Sequence, residues 1–245
     1  MINKLTKNTF VSASLCNHNG TLGIDDVFDL FMDMANDHGE IMNVGSKTLD
    51  EAGLFWIVSR SRLKIHSLPA MRETFDMTTW PAKPERIRCM RYYEGKMNDS
   101  VLFEGKTEWA ILSRETGRPC RAQDIYPADL EHETAVLLPE PFRHIADSFE
   151  EFDRETCHTV RYTDIDIAHH MNNVAYIRAI LGSFTCAELD ALGVNEFEIS
   201  YTQQCFEGDK LSIRMKNADG GIIGKVFTPS GAAAVSFFIG CNGKI

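Results

Sequence analysis

Between Asp164 and Asn173 the chain packs Asp164, Asp166, His169, His170, Asn172 and Asn173 into ten residues, interleaved only with Ile165, Ile167, Ala168 and Met171. A carboxylate and an imidazole this close in sequence suit acid–base work. Asp166 can draw a proton from water or attack a carbonyl carbon itself, and His170 can orient the reacting groups or handle a proton. The cluster stands just before an apolar-periodic segment, and so at the start of a helix. Unpaired backbone N–H groups and the positive end of the helix dipole lie there, around Asn172, Asn173 and Val174, and they stabilise negative charge. An acyl carbonyl under attack develops such a charge. The competing reading is structural, because Asp and Asn are also good helix-capping residues.

Two other chemistries are open to these residues. Cys205 with His170 would make a thiolate nucleophile, although a lone Cys in a strand is commonly a small buried residue. His169-His170 is a weak ligand set, and none of the seven cysteines (Cys16, Cys89, Cys120, Cys157, Cys186, Cys205, Cys241) forms a CxxC pair. The expectation is reduced thiols, no metal and no cofactor.

The elements that must carry this cluster are legible from periodicity. Leu22–Val44 repeats Val27, Leu30, Phe31 and Met34 at helical spacing, with Asp25 and Asp26 at its start and Gly45 beyond its end. Strand-like runs follow at Phe55–His66, Glu73–Trp80, Ile87–Tyr93 and Val101–Ser113. A stretch from Arg114 to Glu155, with four of the eight prolines, reads as a connection. The same order then restarts, with a short strand near Thr159–Tyr162, a helix over Asn172–Leu192, and strands near Phe197, Lys210, Gly224 and Ala232. Leu211–Lys216 alternates as a half-buried strand should.

The restart can be checked by offset. Leu63-Lys64-Ile65 lies over Ile199-Ser200-Tyr201, and Glu73–Met77 over Asp209–Ile213, both 136 positions apart. Asp25–Phe28 lies over Asn172–Ala175 at an offset of 147, which implies a longer connection in the first copy. On that offset Asp166 falls over Asn19, Asp164 over Asn17 and His170 over Gly23, so the ionisable set belongs to the second copy alone. The pattern by itself supports a duplicated α+β chain. The expected division is residues 1–116 as a copy with a degenerate site that shapes the acyl-chain pocket, a linker over 117–155, and a catalytic copy over 156–245.

A hydrophobic share of 44% and a charged share of 24% fit an ordinary globular protein, and the net charge of −10 argues against a nucleic-acid partner. No run is long enough to span a membrane. MINKLTKNTF carries lysines without the apolar block of a signal peptide, so a cytoplasmic protein without membrane contact is expected.

DIDIAHHMNNVAY resembles the motif of the acyl-ACP thioesterases of plants and bacteria, approximately Asp-x-Asp-x-Asn-x-His-x-Asn-Asn-x-x-Tyr. DMANDHG at Asp33–Gly39, Thr79-Trp80, Glu108-Trp109 and Thr116–Pro119 resemble further family segments across most of the chain. The resemblance implies a tandem (double) hotdog fold, each half a long buried helix wrapped by a curved antiparallel sheet. It implies release of free fatty acid from acyl carrier protein, in fatty acid biosynthesis, by a monomer or homodimer. It places catalytic groups at Asp166, Ala168, His170 and Gln204. The family's Asn and Glu are therefore replaced here by Ala168 and Gln204; an amide at Gln204 can still hold water.

An acidic carrier would need a basic surface on this acidic protein. Arg60, Arg62 and Lys64 alternate along one expected strand, and Arg86, Arg88 and Arg91 form a second cluster; an ordinary solvated strand face is the alternative. Acyl-CoA hydrolysis and non-catalytic acyl-thioester binding are the competing functions. A hydratase on the same fold would resemble Asp-x-Asn-Pro-x-His, whose Asn and Pro are Asp166 and Ile167 here.

Overall fold

The computed structural model describes residues 3–243 and divides into two compact units at Glu140/Pro141. The first contains β1 (Leu5–Phe10), α1 (Ile24–Ile41), α2 (Ser46–Glu51), β2 (Leu54–Ile65), β3 (Thr74–Pro81), β4 (Cys89–Met97) and β5 (Ser100–Ser113). The second contains β6 (Arg154–Thr159), α3 (Asn173–Leu181), α4 (Cys186–Leu192), β7 (Val194–Tyr201), β8 (Lys210–Ala218), β9 (Gly221–Phe227) and β10 (Ala233–Cys241).

Each unit forms an antiparallel sheet by one rule. The strand order is β1-β3-β4-β5-β2 in the first and β6-β8-β9-β10-β7 in the second. The apolar stripe of α1 buries Val27, Phe28, Phe31 and Met34, and Phe31 stacks on Tyr93 of β4 with ring centroids 4.2 Å apart. The ring also needs the bare backbone of Gly105 on β5, where a Cβ would collide with it. In the second unit α3 buries Val174, Ala175, Ile177 and Ile180, while Phe197 and Phe237 stack in the sheet. Each such side chain contributes roughly 1.5–3 kcal/mol by leaving water.

Local chemistry moved several expected boundaries. The helix expected over Asn172–Leu192 is broken: α3 ends at Gly182, and Thr185 starts α4 with a capping box. Glu188 N–H donates to Thr185 Oγ1 at 3.3 Å and Thr185 N–H to Glu188 Oε2 at 2.7 Å. Phe184, expected on the helix face, lies in this break. Gly45 serves as the N-cap of α2 rather than the stop of α1. Strand β1 had no expected counterpart, and Tyr162 belongs to a short 3-10 turn after β6.

The segment 117–155 is no free tether. Ala122 packs with Leu49, Cys89 and Ile111, Leu130 with Met42 and Val44, and Trp80 Nε1 donates to Ala135 O at 2.9 Å. From Pro141 onward the chain serves the second unit: Phe149 is fully buried, and Asp147 pairs with Lys216 at 3.0 Å.

Backbone pairing also sets the register between the units. β1 matches β6 at an offset of 149, and the bridge Cys16–Leu22 matches Ile165–Met171 at the same offset. The sheets keep 136. At 149 against 136, the first unit spends thirteen more residues between this loop and its sheet.

Candidate active site

The loop before α3 is a tight turn. Asp166 N–H donates to His170 O at 3.1 Å and His169 N–H to Asp166 O at 3.0 Å, with His169 at φ +62°. Two bonds of 2.8 Å tie the turn down, from Asn172 N–H to Asp164 O and from Met171 N–H to Cys205 O. Asp164 is itself a structural group: its Oδ2 takes His158 Nε2 at 2.9 Å and Arg161 N–H at 2.8 Å.

With Asp164 so occupied, Asp166 and His170 remain as the candidate acid–base pair. Both are about a quarter exposed, and His170 Nδ1 lies 3.9 Å from Asp166 Oδ1. That is ion-pair reach, and a small side-chain rotation closes it to a hydrogen bond. Asp166 Oδ1 also accepts the Ala168 N–H at 2.8 Å, which anchors one oxygen of the carboxylate. His169 points to solvent.

At the start of α3, Asn172 is the N-cap. Its Oδ1 accepts Val174 N–H at 2.8 Å, so that amide, expected to receive an oxyanion, is already used, and so is the Asn172 side-chain oxygen. The Asn173 N–H has no acceptor among the described residues, and the first turn carries no acidic residue. The positive end of this helix is therefore left open. Tyr201 Oη, donating to Asn173 O at 3.0 Å, holds the turn in place.

Gln204 follows β7 and is exposed. It immediately precedes Cys205, whose carbonyl grips Met171, so it runs alongside the site loop. Cys205 is fully buried, and burial pushes its thiol up; it is no thiolate, and the imidazole of His170 faces Asp166 instead. The cysteine-nucleophile reading fails on these grounds.

The first unit answers the question of an internal control differently from the 147 offset. At 149, Asp166 lies over Asn17 and His170 over Thr21. The first-unit loop repeats the turn bond for bond: Asn17 N–H donates to Thr21 O at 2.8 Å, and Gly20 N–H to Asn17 O at 3.0 Å. Asn17 Oδ1 accepts Asn19 N–H at 2.9 Å. The acid and the base are replaced by an amide and a hydroxyl.

Two of the expected carrier-docking groups are inside the protein. Arg62 is 7% exposed and Arg91 6%, because strands curved around a helix bury residues that simple alternation would put outside. Arg60 and Arg88 reach Glu108 at 3.9 and 3.8 Å; Lys64 is half-buried and Arg86 exposed. The missed signal was His38, one turn beyond Met34 on the apolar stripe of α1, which marks a polar partner inside for Arg91.

The sequence matches the acyl-ACP thioesterase N-terminal domain over residues 3–129 and the acyl-ACP thioesterase C-terminal domain over residues 148–228. The chain belongs to the acyl-ACP thioesterase family. Among curated members, the chloroplastic oleoyl-acyl carrier protein thioesterase 2 of Arabidopsis thaliana is 21% identical over 238 residues, 89% of this chain and 64% of that protein. The chloroplastic oleoyl-acyl carrier protein thioesterase of Coriandrum sativum is 22% identical over 78% of this chain and 56% of its own length. The chain thus spans about three fifths of these family members. An acyl-ACP thioesterase from Bacteroides thetaiotaomicron VPI-5482 superposes with a TM-score of 0.83 at 20% identity, covering 97% of each chain. The 12:0-ACP thioesterase from Umbellularia californica does so with 0.82 at 14% identity, over 100% of this chain and 99% of that one. At these identities the likeness is one of fold, the family's double hotdog. Among the described residues no helix is long and apolar enough to cross a membrane.

Proposed function

We propose that the chain hydrolyses acyl thioesters carried on acyl carrier protein and releases free fatty acid. One observation carries this reading: Asp166 and His170 sit on a hydrogen-bonded turn beside an uncompensated helix start, in a chain whose two units both match the family. Asp166 acts as general base toward water, or as the nucleophile that forms a transient anhydride. His170 orients the reacting groups and carries a proton. The Asn173 N–H, backed by the α3 dipole, stabilises the oxyanion. Gln204 holds the water by donating and accepting hydrogen bonds. Arg60, Lys64, Arg86 and Arg88 are the basic groups left to meet an acidic carrier.

The replacements at Ala168 and Gln204 favour a second reading, a protein that binds acyl thioesters without cleaving them. A thiol-release panel of acyl-ACP and acyl-CoA substrates of several chain lengths decides. Stoichiometric thiol and free acid, released faster from acyl-ACP, is the expected result. Retention of intact thioester at every chain length would sink the hydrolase reading.

A further inference from the structure

Strand β6 runs directly into the site loop, and a side-chain bond joins the two. His158 Nε2, half-buried on β6, lies 2.9 Å from Asp164 Oδ2. An ionised carboxylate only accepts, so the imidazole donates from Nε2. The same oxygen takes Arg161 N–H at 2.8 Å, and the Asp164 carbonyl takes the N–H of Asn172, the N-cap of α3, at 2.8 Å. Asp164 thereby knots the sheet, the start of the loop and the start of the helix.

The first unit builds the same turn without this knot. At the offset of 149, Thr9 stands over His158, Ser12 over Arg161 and Leu15 over Asp164, and Thr9 and Leu15 are half-buried like their counterparts. The backbone bonds are kept. Leu15 N–H donates to Ser12 O at 3.1 Å and Gly23 N–H to Leu15 O at 2.9 Å, where Asp164 N–H donates to Arg161 O at 2.9 Å and Asn172 N–H to Asp164 O. Val11 N–H to Glu73 O and Val160 N–H to Asp209 O, both 2.9 Å, fasten the two loops to their sheets alike. The His158–Asp164 bond is therefore not what shapes the turn.

Stability does not account for it either. The Asp164 side chain is only 14% exposed, and taking a carboxylate out of water is costly enough that an apolar residue in its place is often neutral or better. The unit lacking the acid and the base uses that apolar residue, Leu15. The unit holding Asp166 and His170 keeps the bonded pair. Reacting groups have to be held to within about 0.5 Å, and a displacement of about 1 Å can cost about 10²-fold in rate. A turn that only has to fold is under no such demand.

We infer, on the hydrolase reading above, that His158 is a positioning residue: through Asp164 it fixes the loop that carries Asp166 and His170. It acts on the substrate only by way of that loop.

The test converts the pair to the residues of the first unit. His158→Thr and Asp164→Leu, alone and together in the full chain, are assayed for thiol release from acyl-ACP, for melting temperature, and for hydrogen exchange at the amides of residues 164–172. Because the first unit carries both residues on this backbone, the melting temperature should stay within about 4 °C. Each variant should lower kcat by about tenfold or more with KM within about twofold, and exchange in the loop should quicken. The double variant should fall no further than the worse single one, because the two side chains act as a unit. His158→Gln, whose amide still donates, should return kcat to within about threefold of wild type. Undiminished kcat in His158→Thr, kcat lost only in step with melting temperature, no recovery in His158→Gln, or losses that multiply in the double variant would each overturn the assignment. A wild-type chain that released no thiol would sink the hydrolase reading by itself, and exchange would then decide the role of His158. Quicker exchange confined to the loop in His158→Thr would support it, and unchanged protection there would overturn it.

Discussion

Helices α1 and α3 follow loops of the same backbone design, and they differ in where the negative charge sits. Before α1 the loop carries no carboxylate, with Asn17 and Thr21 in place of the acid and the base, while Asp25 and Asp26 occupy the first helical turn. Gly23 leaves room for the Asp26 carboxylate to fold over that turn, since a Cβ there would collide with it. Before α3 the carboxylate is Asp166, out on the loop beside His170, and the first turn has no acid. In one unit the charge quiets the helix dipole; in the other the carboxylate stands on the loop and the first turn is left without an acid. On the proposed mechanism, a shared scaffold yields a silent unit and a reactive one by moving an acid a few residues.

Converting the second unit toward the first tests this, and Asp166→Asn is the largest step. Asn17 shows that the turn accepts an amide there, so circular dichroism and melting temperature should hold while kcat for thiol release falls by about 10³. Activity within tenfold of wild type would remove Asp166 from the mechanism. His170→Thr, matching Thr21, should lower kcat by about 10², and the pH–rate profile should lose the limb that the imidazole supplies; an unchanged profile would reduce His170 to a structural role. Asn173→Asp brings a first-turn acid to α3. It should slow turnover about tenfold while thermal stability stays level or rises by about 0.3–1 kcal/mol, and equal loss of both would mean a folding defect instead. Smallest is Asn172→Ala, which removes the cap from Val174 N–H and should cost about 1 kcal/mol in urea unfolding. No measurable loss there would show that the cap does not support the site.

How far the sequence alone reached depends on the kind of signal. Long periodic stretches such as the α1 stripe, and alternating ones such as Leu211–Lys216, report burial directly. The break between α3 and α4 was hidden because Ile177, Leu181 and Phe184 keep helical spacing across it, whereas the Thr185–Glu188 box that makes it is four residues of local hydrogen bonding. The offset of 147 rested on two aspartates over two asparagines. Turn geometry, invisible in residue types, moved it to 149 and changed the control from absence to a neutral mimic. Asp166 and His170 were legible because ionisable residues crowd there. Arg62 and Arg91 were misplaced because a strand wrapped on a helix can bury a charged side chain that finds a partner inside.

One backbone feature recurs in both loops: a left-handed residue, Gly20 at φ +71° and His169 at φ +62°. Glycine adopts that conformation freely, whereas histidine holds it at some steric cost, yet the turn keeps its hydrogen bonds either way. The loop therefore behaves as an interchangeable part whose shape survives a change of content. Grafting Asp166 and His170 onto positions 17 and 21 would reproduce the pair's geometry, but it would face a helix end whose dipole Asp25 and Asp26 have already spoken for.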